Sequence, residues 1–204
     1  MISTLIFDFG GVLIDLDRRR CIDAFRQLGL HNIDTMIDNY VQSGIFKQLE
    51  NGDITVQQFH DGVRKLIGRP VSDGEIDRAL NAFLVGIPPE RLQTLRTVRP
   101  HYRLLLLSNT NAIHFPHSSD SVIDADGSRL TDFFDRCYLS YEVHLSKPDP
   151  DFFRYLLKNE CLTPEECLFF DDGEKNIAAA KSLGINAVLV PERANLHQFL
   201  KKYV

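Results

Sequence analysis

The chain has 204 residues, 44% of them hydrophobic and 25% charged, the balance of an ordinary globular protein rather than a disordered or fibrous one. Its formal net charge is -5 and its basic residues are scattered, which argues against a nucleic-acid surface built on electrostatics. No apolar run is long enough to span a bilayer, no basic and apolar leader precedes the first strand, and Cys21, Cys137, Cys161 and Cys167 form no metal-like pair; the thiols read as reduced, in a cytoplasmic protein.

From the N-terminus, residues 5–7 form a short apolar run closed by Asp8, Phe9, Gly10 and Gly11, the pattern of a buried strand that stops at a tight loop. Residues 16–88 carry helical patterns and no convincing strand. Predicted helices cover 21–28, ending at Gly29, 32–42, ending near Gly44, and 55–66, ending near Gly68. Another begins at Ser72, with Glu75 at the capping-box position, and runs to Phe83. Pro89–Val98 reads as a helix leading into a strand over 104–107. A weaker strand follows at Arg136–Leu139, then a helix over 151–159 behind Pro150. The apolar run 168–170, a helix over 174–183 that stops at Gly184, and a strand over 187–190 complete the pattern. Strands that alternate with helices, and are themselves apolar throughout, predict an α/β fold: a Rossmann-like parallel sheet covered on both faces. Residues 1–15 and 89–204 would form that core. Residues 16–88 would be an all-helical insert able to lie over the carboxyl edge of the sheet as a lid.

Ligands of open α/β sheets bind at the carboxyl ends of the strands, and the polar residues at those ends are the candidates for chemistry. Asp8 ends the first run; it is either a turn cap or a metal ligand or nucleophile. Ser108 and Asn109 end the second, either a plain polar turn or a loop whose hydroxyl and backbone N–H groups can cradle phosphate oxygens. Lys147 lies between Ser146 and Pro148 and is either a solvated surface lysine or a cation for phosphate or a buried carboxylate, held near a helix start by Pro148 and Pro150. Asp171 and Asp172 end the third run, either as an N-cap pair at a helix start or as a cation site, since adjacent carboxylates repel unless a cation is near and such oxygens suit Mg²⁺. Asn176, four residues on, can orient a carboxylate or a metal-bound water.

Phe7-Asp8-Phe9-Gly10-Gly11-Val12, Leu107-Ser108-Asn109-Thr110-Asn111, Lys147-Pro148 and Phe169-Phe170-Asp171-Asp172 with Asn176 together resemble the haloacid dehalogenase superfamily of aspartate-nucleophile hydrolases. The order and spacing of these motifs span nearly the whole chain, and the second is similar to the glucose-1-phosphatase-like branch. The resemblance implies a Mg²⁺-dependent phosphatase of a small phosphorylated metabolite, a sugar phosphate or an anomeric 1-phosphate. Asp8 would be the nucleophile that becomes an aspartyl-phosphate. Mg²⁺ would rest on Asp8, Asp172 and the Gly10 carbonyl. Ser108 and the Asn109 backbone would hold phosphoryl oxygens, Lys147 would neutralise charge, and Asp171 and Asn176 would support them. The insert resembles a helical cap, in which Phe46, Glu50, Gly52, Ile54 and Phe59 look like the segment facing the substrate.

One departure stands out. Most phosphatases of this superfamily carry a general acid two residues after the nucleophile, and here that position is Gly10. General acid–base help is typically worth about 10² to 10⁴ in rate. Asp15, Asp17 and Glu50 are the substitutes near it in sequence or in the cap. Two alternatives stay open: a metal-independent dehalogenase of the same fold, and a protein that kept the fold without catalysis. Arg18-Arg19-Arg20 reads as a solvated helix start, His114-Phe115-Pro116-His117 as an exposed loop, 124–128 as a turn, and Phe133-Phe134 and Phe152-Phe153 as core or cap packing.

Overall fold

The computed structural model describes residues 1–38, 42–121, 127–191 and 194–202. Five parallel strands form the sheet, in the order β5-β4-β1-β6-β7: β1 (Thr4–Phe7), β4 (Arg103–Ser108), β5 (Arg136–Leu139), β6 (Cys167–Asp171) and β7 (Asn186–Leu189). Each predicted strand is present. Successive side chains of a strand point to opposite faces, and both faces are buried. Leu5, Phe7, Leu104, Leu106, Leu168 and Phe170 pack on one side, and Ile6, Leu105, Leu107 and Phe169 on the other. Phe7 and Phe170 stack across neighbouring strands with ring centroids 5.2 Å apart. Phe133, Phe134, Phe152 and Phe153 are in this core, as predicted. Helices α5 (Pro89–Val98), α8 (Pro150–Glu160), α9 (Glu174–Ser182) and α10 (Leu196–Leu200) accompany the strands, with the short α7 (Ser140–Val143) directly after β5.

Between β1 and β4 lie α1 (Arg18–Leu28), α2 (Gly44–Asn51), α3 (Val56–Ile67) and α4 (Asp73–Asn81). They have an apolar cluster of their own, centred on Phe25, Ile33, Phe46, Phe59, Val63 and Ile76. Ser72 and Glu75 make the predicted reciprocal capping box, and Thr55 and Gln58 make a second. Arg18-Arg19-Arg20 opens α1, capped by Asp17.

Four expectations need correction. The segment is not all-helical: β3 (Leu84–Gly86) pairs antiparallel with β2 (Asp15–Leu16), a two-stranded tie where the insert meets the core. The predicted helix over 32–42 is, as far as Asp38, only a 3₁₀ turn at Ile33–Thr35. Arg18 takes the carbonyls of Asp34 and Ile37, each at 2.7 Å, and a continuing helix would need those acceptors. Residues 39–41, the rest of that prediction, lie outside the described residues. Helix α2 has no counterpart among the predicted helices, although Phe46, Leu49 and Glu50 fall on one buried helical face and Gly52 closes it. Finally, His114 opens α6 (His114–Ser121) rather than an exposed loop. Asn111 Oδ1 accepts from the backbone N–H groups of Ile113 and His114. Pro116 sits in the first turn, where its missing N–H costs nothing. Of the predicted turn over 124–128, residues 124–126 lie outside the described residues.

Candidate active site

The sheet brings three strand ends side by side: Asp8 just after β1, Ser108 at the end of β4 and Asp171 at the end of β6. Asp8 is 8% exposed and Asp171 fully buried. Lys147, also buried, lies between them, with its Nζ 2.8 Å from Asp8 Oδ1 and 2.6 Å from Asp171 Oδ2. Asp171 Oδ1 accepts from the Gly173 backbone N–H at 2.7 Å and from Asn176 Nδ2 at 2.9 Å. Asp171 thus anchors the lysine, and Asn176 orients that carboxylate.

Asn109 holds the lysine from the backbone side. Its Nδ2 donates to the Lys147 carbonyl at 2.7 Å, and its Oδ1 accepts from the Lys147 N–H at 2.8 Å. Only the backbone of Asn109 is expected to meet phosphate; its side-chain amide is spent on this two-point clasp. Ser108 Oγ is buried and has no protein partner among the described residues, an orphaned hydroxyl at a strand end.

Asp8, Asp171 and Asp172 each offer a carboxylate oxygen, all within 4.8 Å of one another. Burial raises the pKa of Asp8 well above its ordinary value, and Asp171 and Asp172 add to the effect against the pull of Lys147. Such a cluster holds surplus negative charge, which suits a hard cation with oxygen ligands. Asp171 is buried on Lys147, Gly173 and Asn176, whereas Asp8 and Asp172 are the two carboxylates of the cluster that line the cavity above it. The Gly10 carbonyl accepts no backbone hydrogen bond among the described residues. Gly11 fixes the approach of Asp172. Its φ is +72°, and a Cβ built there would lie 2.2 Å from Asp172 Oδ2, so only glycine lets the loop and this carboxylate meet.

A cavity of about 100 Å³ lies above these groups. Asp8, Gly10, Asn109, Thr110, Asn111, Lys147, Asp172 and Asn176 line its floor, while the insert supplies Ile37, Gln42, Phe46, Leu49, Glu50, Leu80, Phe83 and Leu84. The three possible substitutes for an acid at Gly10 separate here. Asp15 is paired with Arg91 at 2.7 Å and Asp17 caps α1; neither lines the cavity. Glu50 does, 7% exposed, with Oε1 2.7 Å from Lys47 Nζ. Burial raises its pKa against the lysine's opposing effect.

Two polar contacts on this edge had no signal in the sequence reading. Ser140 Oγ lies 2.7 Å from the Glu50 carbonyl and 2.9 Å from that of Thr110, and accepts from the Thr110 N–H at 3.0 Å. It joins the Glu50 segment to the loop after β4. His114 Nε2 is 3.0 Å from the Leu80 carbonyl; a carbonyl only accepts, so Nε2 carries the proton. Nδ1 then accepts from Asn111 Nδ2 at 3.2 Å, and the ring stacks on Phe83. Burial pushes its pKa down to about 4, so it is neutral near pH 7.

With a nucleophile-type carboxylate, an anchored lysine and paired carboxylates at adjacent strand ends, the chain belongs to the haloacid dehalogenase-like hydrolases, whose family model matches residues 2–184. It is similar to D-ribitol-5-phosphate phosphatase of Bacteroides thetaiotaomicron, with 36% identity over 98% of this chain and 97% of that one. Sesquiterpene phosphatase AstK of Aspergillus oryzae is 26% identical over 88% of this chain and 85% of its own length. Among solved structures, a HAD family enzyme of Bacteroides thetaiotaomicron in complex with magnesium and inorganic phosphate superposes with a TM-score of 0.94. It is 38% identical over 98% of this chain and 99% of that one.

Proposed function

We propose that the protein is a Mg²⁺-dependent phosphatase of a small sugar or polyol phosphate, with residues 16–88 as a cap over the site. The observation that carries this reading is the placement of Asp8: 2.8 Å from a buried lysine, inside a three-carboxylate cluster, facing a cavity. In this reading an Asp8 oxygen attacks phosphorus, the ester P–O bond breaks, and an aspartyl-phosphate forms that water then hydrolyses to inorganic phosphate. Asp8, Asp172 and the Gly10 carbonyl would hold Mg²⁺, which when bound supplies charge that keeps Asp8 ionised and offsets the phosphoryl oxygens. Ser108 Oγ and the Asn109 N–H receive phosphoryl oxygens, and Lys147 balances the charge shared by nucleophile and phosphoryl group. Phosphoryl transfer is mostly positioning and charge stabilisation, which this set provides.

Glu50 takes the proton role that Gly10 lacks: protonated, it gives a proton to the leaving oxygen. The similarity to a D-ribitol-5-phosphate phosphatase supports a polyol phosphate. Gly10 itself favours a second substrate reading, an anomeric 1-phosphate, whose more acidic leaving hydroxyl needs less help. The unpaired cysteines support a reducing compartment such as the cytoplasm, and among the described residues no helix is long and apolar enough to cross a membrane.

The test is hydrolysis of para-nitrophenyl phosphate and of a pentitol 5-phosphate. Turnover should require Mg²⁺, stop with EDTA, and be lost in Asp8→Asn. Turnover that survives EDTA would overturn the Mg²⁺ dependence, and halide release from a 2-haloacid without metal would favour the dehalogenase alternative. No turnover of any phosphate ester would leave a protein that kept the fold alone.

A further inference from the structure

We propose that Gln42 is a specificity-determining residue whose side-chain carbonyl accepts a hydrogen bond from a hydroxyl of the leaving group, so that the site selects polyol phosphates over hydrocarbon phosphates. This rests on the phosphatase reading above and goes beyond it, because Gln42 belongs to none of the motifs. Apart from Glu50, the insert side of the cavity is apolar: Ile37, Phe46, Leu49, Leu80, Phe83 and Leu84. Among the described residues, Gln42 is its other polar group.

The orientation of the amide is fixed by its surroundings. Nε2 donates to the Asp38 carbonyl at 2.8 Å, and a carbonyl can only accept. Oε1 therefore points the other way. It is buried and has no protein donor among the described residues. Buried acceptors are nearly always satisfied, and unlike the other unpartnered amide oxygens, those of Asn51 and Asn81, this one belongs to a residue that lines the cavity, whose contents are its source of a donor. An alkyl or prenyl chain brings none; a polyol brings several.

The cavity size agrees. At about 100 Å³ it is small beside the ~300–1,000 Å³ of sites for drug-sized ligands, which suits a short carbon chain and not a long isoprenoid. A purely apolar wall could not reject a molecule for lacking a hydroxyl, but a wall with an acceptor to satisfy does.

The experiment compares kcat/KM in Mg²⁺ for a pentitol 5-phosphate, n-pentyl phosphate and farnesyl monophosphate, in wild type and in Gln42→Met, which keeps the volume and removes the acceptor. Para-nitrophenyl phosphate serves as the wild-type control for phosphatase activity. Wild type should prefer the pentitol ester over the pentyl ester by at least about tenfold. In Gln42→Met the ratio should collapse toward one, with the loss on the pentitol side. General unfolding lowers all substrates alike and cannot produce that change of ratio. An unchanged ratio in Gln42→Met, or wild-type preference for pentyl or farnesyl phosphate, overturns the proposal while leaving the phosphatase reading intact. No wild-type turnover of any ester, the control included, overturns both.

Discussion

Gly11→Ala puts a methyl group where Asp172 now lies. The new Cβ would stand 2.2 Å from Asp172 Oδ2 and 2.7 Å from its Cγ, whereas ordinary contact begins at 3.4 Å. The carboxylate must therefore retreat by 3.4 − 2.2 = 1.2 Å or swing away. A second cost is the left-handed backbone at φ +72°, about 1–2 kcal/mol for a residue with a Cβ. For a chain of this size that lowers the melting temperature by roughly 2–8 °C. Gly68→Ala separates the two effects, because Gly68 has φ +75° and nothing within 4 Å of a built Cβ. Without metal both variants should lose stability, Gly68→Ala by the backbone cost alone and Gly11→Ala by at least as much. Only Gly11→Ala should lose metal affinity, by about tenfold or more, since displaced oxygens bind poorly. The assay is the rise in melting temperature across a Mg²⁺ titration, read beside the Mg²⁺ dependence of para-nitrophenyl phosphate hydrolysis. At a metal level that saturates wild type, a tenfold weaker site loses about 1.4 kcal/mol of ligand stabilisation. A Gly11→Ala protein with wild-type Mg²⁺ dependence would refute the assignment of Asp172 as a ligand.

Three further outcomes follow from the geometry. Ser108→Ala should keep or slightly raise stability, because it removes an orphaned hydroxyl, while lowering kcat/KM about 10- to 100-fold through a lost bond to a charged oxygen; thermal melts and steady-state kinetics check both halves. Glu50→Gln should slow an alkyl phosphate by about 10² and para-nitrophenyl phosphate much less, since the nitrophenolate leaves without a proton; equal losses would remove Glu50 as the acid. His114 is held neutral by burial, with a folded pKa of about 4 against an ordinary 6.5. Its stabilisation is complete above pH 6.5 and is lost as the pH falls from 6.5 toward 4. Urea unfolding of wild type should thus steepen with acidification in that window relative to His114→Gln, and parallel curves would contradict the buried neutral ring.

The sheet was legible because both of its faces are buried, so strands 5–7, 104–107 and 168–170 read as unbroken apolar runs. The strand ends were legible only jointly: a carboxylate or hydroxyl after one such run suits a turn as well, but three such ends with a proline-flanked lysine point to one site. The insert was harder. Helix α2 starts at Gly44 without a side-chain cap bond, and β2 and β3 are two and three residues long, too short for any period to show. What sequence could not supply was pairing at a distance. The Asn109 clasp on Lys147 spans 38 residues and the Ser140 link to Glu50 spans 90. The orphaned acceptor of Gln42 is defined by what surrounds it rather than by a motif.

The central claim is that Asp8 carries the phosphoryl group between the two halves of the reaction. Rapid acid quench during steady turnover, followed by peptide mass spectrometry, tests it most directly. The peptide containing Asp8 should gain one phosphoryl group, only when Mg²⁺ is present and never in Asp8→Asn. Steady phosphate release with that peptide unmodified, or undiminished release by Asp8→Asn, would contradict the account.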